Sequence, residues 1–458
     1  MNGLRWRSRW GAALAVLTGL TLALPAAAQK PADLIQIYAD ALANNASFRA
    51  RLAKVEAVDQ LHLQAEGQLL PQVGVLGSYD YVDEEIEGRF FGLVDVDNDD
   101  SFDRTLYGVQ LTQALYRPEL VITRDQATLS KAQARFQLEA DEGTLMLEVA
   151  EAYFGVLAAL DLESFYKAEQ EALQTQLDQV GTRTAAGLAT QADLAAARAQ
   201  YAVAGANVVQ AAAALQGAYA ALDAIAGKVY RSFKVLPEGM VLARPQPATV
   251  APWLQRAREQ NLTVLGARLS LQIAELELEK ARKTRWPRVD AAASASRLDN
   301  GGGLSGDREE TETRVGVKLV LPLYAGGSID AKIAEALANR EVAAAELEAA
   351  EQAAERDARL AYLQATNGIA LVPARRASLD AAREAEAATV GGFDAGTLTT
   401  ADVLRVIRSR YEAERDYSAA RYTFMLDSLR LKQAAGDLTN ADLNRFDRLL
   451  RPPSAVQR

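Results

Sequence analysis

The chain has 458 residues, is acidic with a formal net charge of −10, and contains no cysteine and a single histidine. Negative charge argues against a nucleic-acid partner, because phosphate binding needs clustered lysine and arginine. The lack of cysteine excludes disulfides, thiolate metal sites, cysteine nucleophiles and a lipid on an N-terminal cysteine. His62 lies inside a helical pattern and is more simply a solvated or packed residue than a catalytic one. No carboxylate motif converges either, so the sequence indicates no enzyme, cofactor or metal site.

Residues 1–28 have the pattern of a secretory signal peptide. Arg5, Arg7 and Arg9 precede an apolar stretch, Gly11–Leu24, and small residues follow at 25–28. A membrane anchor is the weaker alternative, because the apolar stretch is short. No later segment has eighteen consecutive apolar residues, so we expect an exported protein that crosses any membrane by β-strands.

Helical patterns cover residues 32–68 in the first half and 253–284 in the second, and each is predicted to be one helix. Four alternating segments of about ten residues are predicted strands, the length that a tilted strand needs to cross a bilayer. They are 72–81, 105–115, 289–296 and 314–321. Aromatic residues cluster near their ends, as an aromatic belt would: Tyr79, Tyr81 and Tyr107 on one side, and Tyr116, Trp286 and Tyr324 on the other. Taken alone, the strands fit a membrane barrel and two hairpins of a soluble sheet equally well.

Polar segments connect the strands of each pair, and we expect both to be solvated external loops. The first, 83–103, is strongly acidic; calcium binding is the less favoured reading, because its spacing fits no defined calcium loop. The second, 297–312, contains a literal G-x-G-x-x-G at 301–306. A nucleotide site there is not favoured, because the loop is acidic and leads to a strand instead of a phosphate-binding helix.

Two long helical segments meet at Gly187. Heptad spacing of apolar residues from Arg117 to Thr184 and again from Leu194 to Leu222 predicts helices wound on each other. A segment of about 65 residues spans roughly 100 Å at about 1.5 Å per residue. The element is therefore predicted to be a long antiparallel coiled-coil hairpin.

The hairpin and its flanking elements occur twice. Four pairs of residues are separated by the same 209 positions: Gly187 and Gly396, Thr190 and Thr399, Asp193 and Asp402, Gly227 and Gly436. Such a repeat sets the architecture. The predicted division of the chain is a signal peptide at 1–28, a first repeat at 29–230, a linker or equatorial segment at 231–251, a second repeat at 252–436, and a C-terminal equatorial segment and tail at 437–458.

Four strands per chain are too few to close a pore, and lipid does not tolerate open sheet edges. If the strands span a membrane, several chains must share one barrel, and three chains would supply twelve strands. The predicted fold class is therefore mostly α with β. It is a trimeric membrane β-barrel of four strands per chain, continued by a helical coiled-coil tunnel and built from two tandem repeats.

Several short segments, in order and in both halves, resemble the TolC-type outer-membrane efflux family. They are Asp33–Tyr38, Leu70–Gln72, Leu111–Gln113, Ala152–Phe154, Gln176–Gln179, Ala197–Tyr201, Leu321–Gly327 and Ala401–Leu404. The resemblance covers nearly the whole chain after residue 28. It implies a homotrimeric duct in the outer membrane of a Gram-negative bacterium, with a periplasmic tunnel. It also implies a periplasmic adaptor protein and an inner-membrane pump of the RND or ABC type as partners, for drug efflux or type I protein secretion.

The resemblance also implies where adaptors dock and where the tunnel closes. Docking residues would lie at the glycine turns, Ala186, Gly187, Leu188, Ala395, Gly396 and Thr397. The family more often has valine before each glycine. The same glycines also end their helices, which is compatible with docking.

In the family, an aspartate ring narrows the periplasmic end, and Asp402 matches it. Arg405 stands where a second aspartate is usual, and Phe393 and Leu398 stand for a tyrosine and an arginine that latch the closed state. Asp193 matches the latch partner, although it could equally cap a helix with Thr190. We expect a gate at this place that is held more weakly by polar bonds and is less cation-selective.

A periplasmic coiled-coil scaffold or adaptor without a pore is the alternative from another functional class. Such a protein would not need two pairs of bilayer-length strands with aromatic ends, nor their duplication. If the protein can be extracted from membranes only with detergent, the duct is favoured.

Overall fold

The structure is a computed structural model that describes residues 31–90, 94–237, 239, 243–303 and 306–452, and the predicted signal peptide lies outside them. The first half contains α1 (Leu34–Asn44), α2 (Ala46–Gly67), β1 (Gln72–Phe90), β2 (Val94–Tyr116), α3 (Pro118–Ala185) and α4 (Gln191–Ala226). The second half contains α5 (Ala251–Gln260), α6 (Leu262–Lys283), β3 (Arg288–Gly301), β4 (Asp307–Val320), α7 (Ser328–Asp394), α8 (Thr400–Ala434) and α9 (Asn440–Asp447). Apart from α9, the two halves repeat the same order of elements.

The four strands form one antiparallel sheet in the order β1-β2-β3-β4, so β1 and β4 are its edges. Its register places Val75, Val109, Ala295 and Thr313 in one row across the strands. The neighbouring row is Gly74, Gln110, Ser294 and Arg314. Because side chains alternate between faces, the first row lies on a largely apolar face and the second on a polar one.

The strands are longer than predicted, and the prediction of loops at 83–103 and 297–312 was wrong for most of both segments. Asp83 pairs with Ser101 and Glu87 with Asp97 in the first hairpin, and β3 continues to Gly301 in the second. Polar side chains do not end a strand, because the ladder is made by backbone hydrogen bonds. Apolar alternation located the part of each strand that suits a bilayer, and pairing continues beyond it.

Each short helical segment predicted as one helix is two helices. Asn45 separates α1 from α2, and its side chain accepts a hydrogen bond from Phe48 N. Asn261 separates α5 from α6 and accepts from Thr263 N and Val264 N. Asparagine favours N-caps over helix interiors because its side chain bonds to nearby backbone groups.

The long helices pair as predicted, α3 with α4 and α7 with α8. On α4 the buried seam is Ala197, Ala204 and Ala211, continued by Leu215 and Leu222. Alone among the described helices, α4 is long and apolar enough to span a membrane. The high alanine content of α4 accounts for its apolar character, and its buried seam packs on α3.

A strap at 231–237 crosses the helices near their middle. Tyr153 of α3 donates a hydrogen bond to Lys234 O at 2.8 Å, and the buried Arg421 of α8 donates to Leu236 O and Pro237 O, both at 2.7 Å. Leu443 of α9 is fully buried in the same core. The strap thus joins the two halves near the middle of the long helices. At the helix tips, the two halves are connected by side chains.

Candidate functional site: the helix tips

The two helical turns furthest from the sheet have the same backbone geometry. Gly187 follows α3 and Gly396 follows α7, each with a φ of +76°. Leu188 N donates to Arg183 O, and Thr397 N donates to Gly392 O, at 2.8 and 2.9 Å. A left-handed residue with these bonds is the Schellman type of helix ending, which glycine adopts without steric cost.

The helix after each turn begins with a capping box. Thr190 Oγ1 accepts from Asp193 N at 3.1 Å, while Asp193 Oδ2 accepts from Thr190 N at 3.0 Å. Thr399 and Asp402 repeat the arrangement at 3.3 and 3.1 Å. The threonine hydrogen bonds hold the pKa of both carboxyls below the usual 3.8. The structure therefore gives Asp193 the capping geometry, and its latch role stays a prediction.

Asp402 also binds Arg405. Arg405 Nη2 lies 2.8 Å from Asp402 Oδ1, three residues apart on α8. The arginine side chain is 75% exposed and the aspartate side chain 30%. The two opposite charges therefore form one exposed pair and largely cancel each other.

Phe393 is buried and Leu398 lies beside it on the turn. Phe393 belongs to an apolar cluster with Val180 of α3, Ala197 of α4 and Val403 of α8. Leu398 stands so near Gly392 that a Cβ there would meet its Cδ1 at 2.7 Å. These two residues hold the tip by packing, and their chemistry does not reproduce a tyrosine–arginine latch.

Arg183 adds a polar contact between the two hairpins at the tips, and the sequence analysis did not single it out. Its guanidinium carbon lies 4.3 Å from the centre of the Phe393 ring. Its Nη1 donates to Phe393 O at 3.1 Å, so it binds the last turn of α7. A basic residue in the last turn of a helix is by itself a weak signal of a contact with another helix, because it also suits the helix dipole.

A second connection lies above the tips. Tyr411 Oη donates to Ala168 O at 2.9 Å, and Arg415 Nη1 lies 3.0 Å from Glu169 Oε2. Glu169 is only 5% exposed. Burial raises the pKa of its carboxyl, opposed by the Arg415 charge. Two levels of contact thus tie α3 to the α7–α8 pair.

Other candidates from the sequence have simpler surroundings. His62 Nε2 lies 3.4 Å from Glu66 Oε1, one turn away on α2. Among the residues that the structure describes, no group of acidic residues or histidine has a metal-binding arrangement. The acidic segment 83–103 is mostly paired strand.

Both halves of the chain match known proteins. A model of the outer membrane efflux protein family matches residues 37–228 and 253–437. Outer membrane protein TolC of Escherichia coli K12 is 30% identical over 455 residues, covering 96% of this chain and 89% of that protein. Alkaline protease secretion protein AprF of Pseudomonas aeruginosa is 26% identical over 423 residues, covering 90% and 85%.

Solved structures share the fold. The outer membrane protein VceC of Vibrio cholerae has a TM-score of 0.73 and 18% identity, covering 88% of this chain and 96% of that one. The MtrE outer membrane channel of Neisseria gonorrhoeae, in its open state, has a TM-score of 0.70 and 20% identity, covering 89% and 90%.

Proposed function

Because the chain belongs to the outer membrane efflux protein family, we propose that three copies form one duct through the outer membrane of a Gram-negative bacterium and across the periplasm. The observation that carries this proposal is the four-stranded sheet with one apolar face, one polar face and two open edges. Sheet edges are tolerated in lipid only when they are paired. Pairing β4 of one copy with β1 of the next closes a barrel of twelve strands.

The exposed side chains distinguish the two faces. Val75, Val109 and Val315 are 84%, 48% and 81% exposed in the single chain and alternate with polar residues. An apolar outward band and a polar lumen are the arrangement of membrane barrels. A periplasmic scaffold would have no use for this band, so the duct is favoured over the scaffold.

We place the periplasmic gate at the helix tips, with Asp402 and Arg405 lining it. A ring of three carboxylates would attract cations, but here each carboxylate carries its own arginine at 2.8 Å. The gate is then nearly neutral and selects weakly between cations and anions. Asp193, Phe393 and Leu398 support its walls through capping and packing.

Adaptor docking is proposed at the two exposed turns, Ala186–Leu188 and Ala395–Thr397. No atom lies within 4 Å of a Cβ built at Gly187 or Gly396, so both turns present open backbone. Their matching φ angles would let one partner bind both turns in the same way. The partners would be a periplasmic adaptor and an inner-membrane pump of the RND or ABC type.

The family name and the name of one relative suggest two uses for such a duct, efflux and secretion of a protein. A passive duct needs neither a cofactor nor a catalytic residue. Cargo choice would then rest with the pump.

The test is single-channel conductance of the purified trimer in a planar bilayer, with a trivalent cation added on the periplasmic side. We expect discrete channels with weak ion selectivity and little block. Strong block with high cation selectivity would overturn the neutral gate but leave the duct. Properly folded trimers that form no channel would overturn the duct and favour a scaffold.

A further inference from the structure

Basic residues crowd the junction between α6 and β3. Because α6 ends at Lys283 and β3 begins at Arg288, this junction lies at the end of the sheet nearest the helices. Residues 280–289 contain five basic residues and no acidic one, although the chain as a whole has a net charge of −10. The basic residues are Lys280, Arg282, Lys283, Arg285 and Arg288. In a duct through the outer membrane, they would lie at its periplasmic surface.

The fold that the two halves share does not require this charge. Pro71 precedes β1 as Pro287 precedes β3, so residues 64–72 correspond to residues 280–288. The segment in the first half contains one acidic residue, Glu66, and no basic one. A basic last turn also suits the dipole of a helix, but α2 ends at the same level without one. The basic cluster is therefore specific to the second half.

Two of the five basic residues have no acidic partner. Three form ion pairs inside the chain: Lys280 with Glu277, Arg285 with Asp330, and Arg288 with Glu119. Within the part of the chain that the structure describes, Arg282 and Lys283 form no ion pair, and Arg282 is exposed. Two positive charges are thus available to a partner outside the chain.

Lys283 and Trp286 share the free side of α6. Lys283 Nζ lies 3.6 Å from the centre of the Trp286 ring, and Trp286 is 45% exposed. Glu277 accepts a hydrogen bond from α3 at 2.9 Å, and Leu278 packs against α7. At about 100° per residue, Lys283 lies about 120° from Glu277 and about 140° from Leu278 around the helix. Lys283 and the ring that it covers are therefore directed away from both flanking helices.

Exposed apolar side chains lie at the same level. Arg288 pairs with Val320, the last residue of β4. Leu323 and Tyr324, just beyond this strand, are each 89% exposed. Tryptophan and tyrosine favour the boundary between lipid and water, and lysine and arginine are attracted to anionic lipid headgroups. The junction thus combines an apolar surface for acyl chains with two cations for a headgroup.

We propose that Arg282 and Lys283 bind the phosphate of an anionic glycerophospholipid in the periplasmic leaflet, with Trp286 beside its glycerol. The proposal rests on the duct function, because it needs the sheet to lie in the membrane. Arginine donates two parallel hydrogen bonds to a phosphate, and lysine adds a compact positive charge. A zwitterionic lipid carries the same phosphate together with a positive amine, so two cations favour the anionic lipid. Three copies would hold such a lipid at three places around the barrel.

The fluorescence of Trp286 supplies a direct test. Of the four tryptophans, Trp6 and Trp10 fall in the predicted signal peptide and Trp253 is 1% exposed, so quenching by lipid reports on Trp286. The purified trimer would be placed in phosphatidylcholine vesicles with a small fraction of brominated phosphatidylglycerol or, separately, of brominated phosphatidylcholine. One basic residue favours an anionic surface roughly fivefold. We therefore expect the brominated phosphatidylglycerol to quench several-fold more strongly.

Removing the two cations should abolish this preference. In the double variant Arg282→Gln/Lys283→Gln, both brominated lipids should quench equally. Arg49→Gln/Lys54→Gln is the matched control, because it removes one exposed arginine and one exposed lysine from the half of α2 furthest from the sheet. The control should retain the preference. Inorganic phosphate should weaken the preference no more than sodium chloride of the same ionic strength, which only screens the charges.

The outcomes separate this inference from the duct itself. Equal quenching by both lipids in the original protein would overturn the lipid site but leave the duct. A preference that persists in Arg282→Gln/Lys283→Gln, or that is lost equally in the control, would overturn the assignment to these two residues. A preference abolished by inorganic phosphate but not by salt would indicate a site for the free anion. No quenching by either lipid in folded, vesicle-bound trimer would contradict the membrane position of the sheet and therefore the proposed function.

Discussion

Arg405 determines the charge of the proposed gate, because its guanidinium sits 2.8 Å from the Asp402 carboxylate. We expect Arg405→Asp to give two carboxylates per chain and six in the trimer. Cation permeability relative to anion permeability should rise, and block by a trivalent cation should appear in single-channel recordings. Arg405→Gln, which removes only the positive charge, should give an intermediate selectivity. Identical selectivity in all three proteins would place Arg405 outside the ion path.

The gate should be insensitive to mild acid. The Thr399 hydrogen bonds, with help from Arg405, hold the pKa of Asp402 below 3.8. A lowered carboxyl pKa means that the ionised form and its contribution to stability persist as pH falls, until the lowered pKa is reached. The permeability ratio should therefore stay constant from about pH 7 to about pH 5. A change of selectivity in this range would point to another titrating group in the pore.

Arg183 should hold the tips closed. A cation–π contact contributes about 0.5–2 kcal/mol, and a net hydrogen bond about 1 kcal/mol. We expect Arg183→Ala to raise the mean conductance of the resting channel by loosening α7 from α3. Arg183→Lys keeps the charge but loses the planar stacking. Its mean conductance should therefore lie between that of the original protein and that of Arg183→Ala. An unchanged conductance with Arg183→Ala would mean that the Glu169–Arg415 and Tyr411–Ala168 contacts suffice.

Residue identities at the tips were predictable only in part. The repeat located Thr190, Asp193, Thr399 and Asp402, because a capping box is a local pattern of residues three apart. The Arg183–Phe393 contact joins residues that are 210 positions apart. Such a pair depends on how two hairpins pack and leaves no local pattern in a single sequence.

At the scale of elements, the asparagines between the short helices should stabilise both junctions. Asn45→Ala and Asn261→Ala each remove an N-cap, which costs about 1 kcal/mol. Each side chain also donates to a distant carbonyl, Asn45 to Ile225 O at 3.4 Å and Asn261 to Ala434 O at 3.1 Å. Because the bond of Asn261 is the shorter, its replacement should be the more harmful. Thermal unfolding of the purified variants measures the loss of stability in each. Asn→Asp at each site retains the cap and should lose less stability than alanine; equal losses would argue against capping.

Periodicity predicted the long helices well and the strand ends poorly. The heptad pattern from Arg117 to Thr184 became α3, Pro118–Ala185, because a buried seam repeats over the whole length of a coiled coil. α7 continues through Pro373, which locally disfavours a helix. The buried Val372 and Leu379 near this proline show that packing maintains α7 there.

At the scale of the whole molecule, the two faces of the sheet should respond oppositely to charge. Val109 and Gln110 are neighbours on β2 that point to opposite faces. A lysine on the lipid side near mid-bilayer costs about 2–4 kcal/mol, so Val109→Lys should reduce heat-stable trimer in outer-membrane fractions. Gln110→Lys faces water and should leave the amount nearly unchanged. Equal losses from both variants would contradict the assignment of the faces.

The sequence by itself determined the class of the protein. Its duplicated order of signals and its coiled-coil seams predicted two repeats with long helices, and its four strands predicted a shared barrel if they span a membrane. The family match and the shared fold confirm the family and the architecture of the single chain, and the shared barrel is the proposal. They were accessible because heptad spacing, strand alternation and capping are short-range patterns that one chain displays directly.

Only the tertiary structure decided which distant segments of the chain meet. Arg183 reaches Phe393 because two hairpins, separate in sequence, lie side by side. Phe102 is covered because a turn from the second half folds onto a strand of the first. Periodicity carries no information about contacts between such distant segments, since each segment satisfies its own local pattern wherever its partner lies.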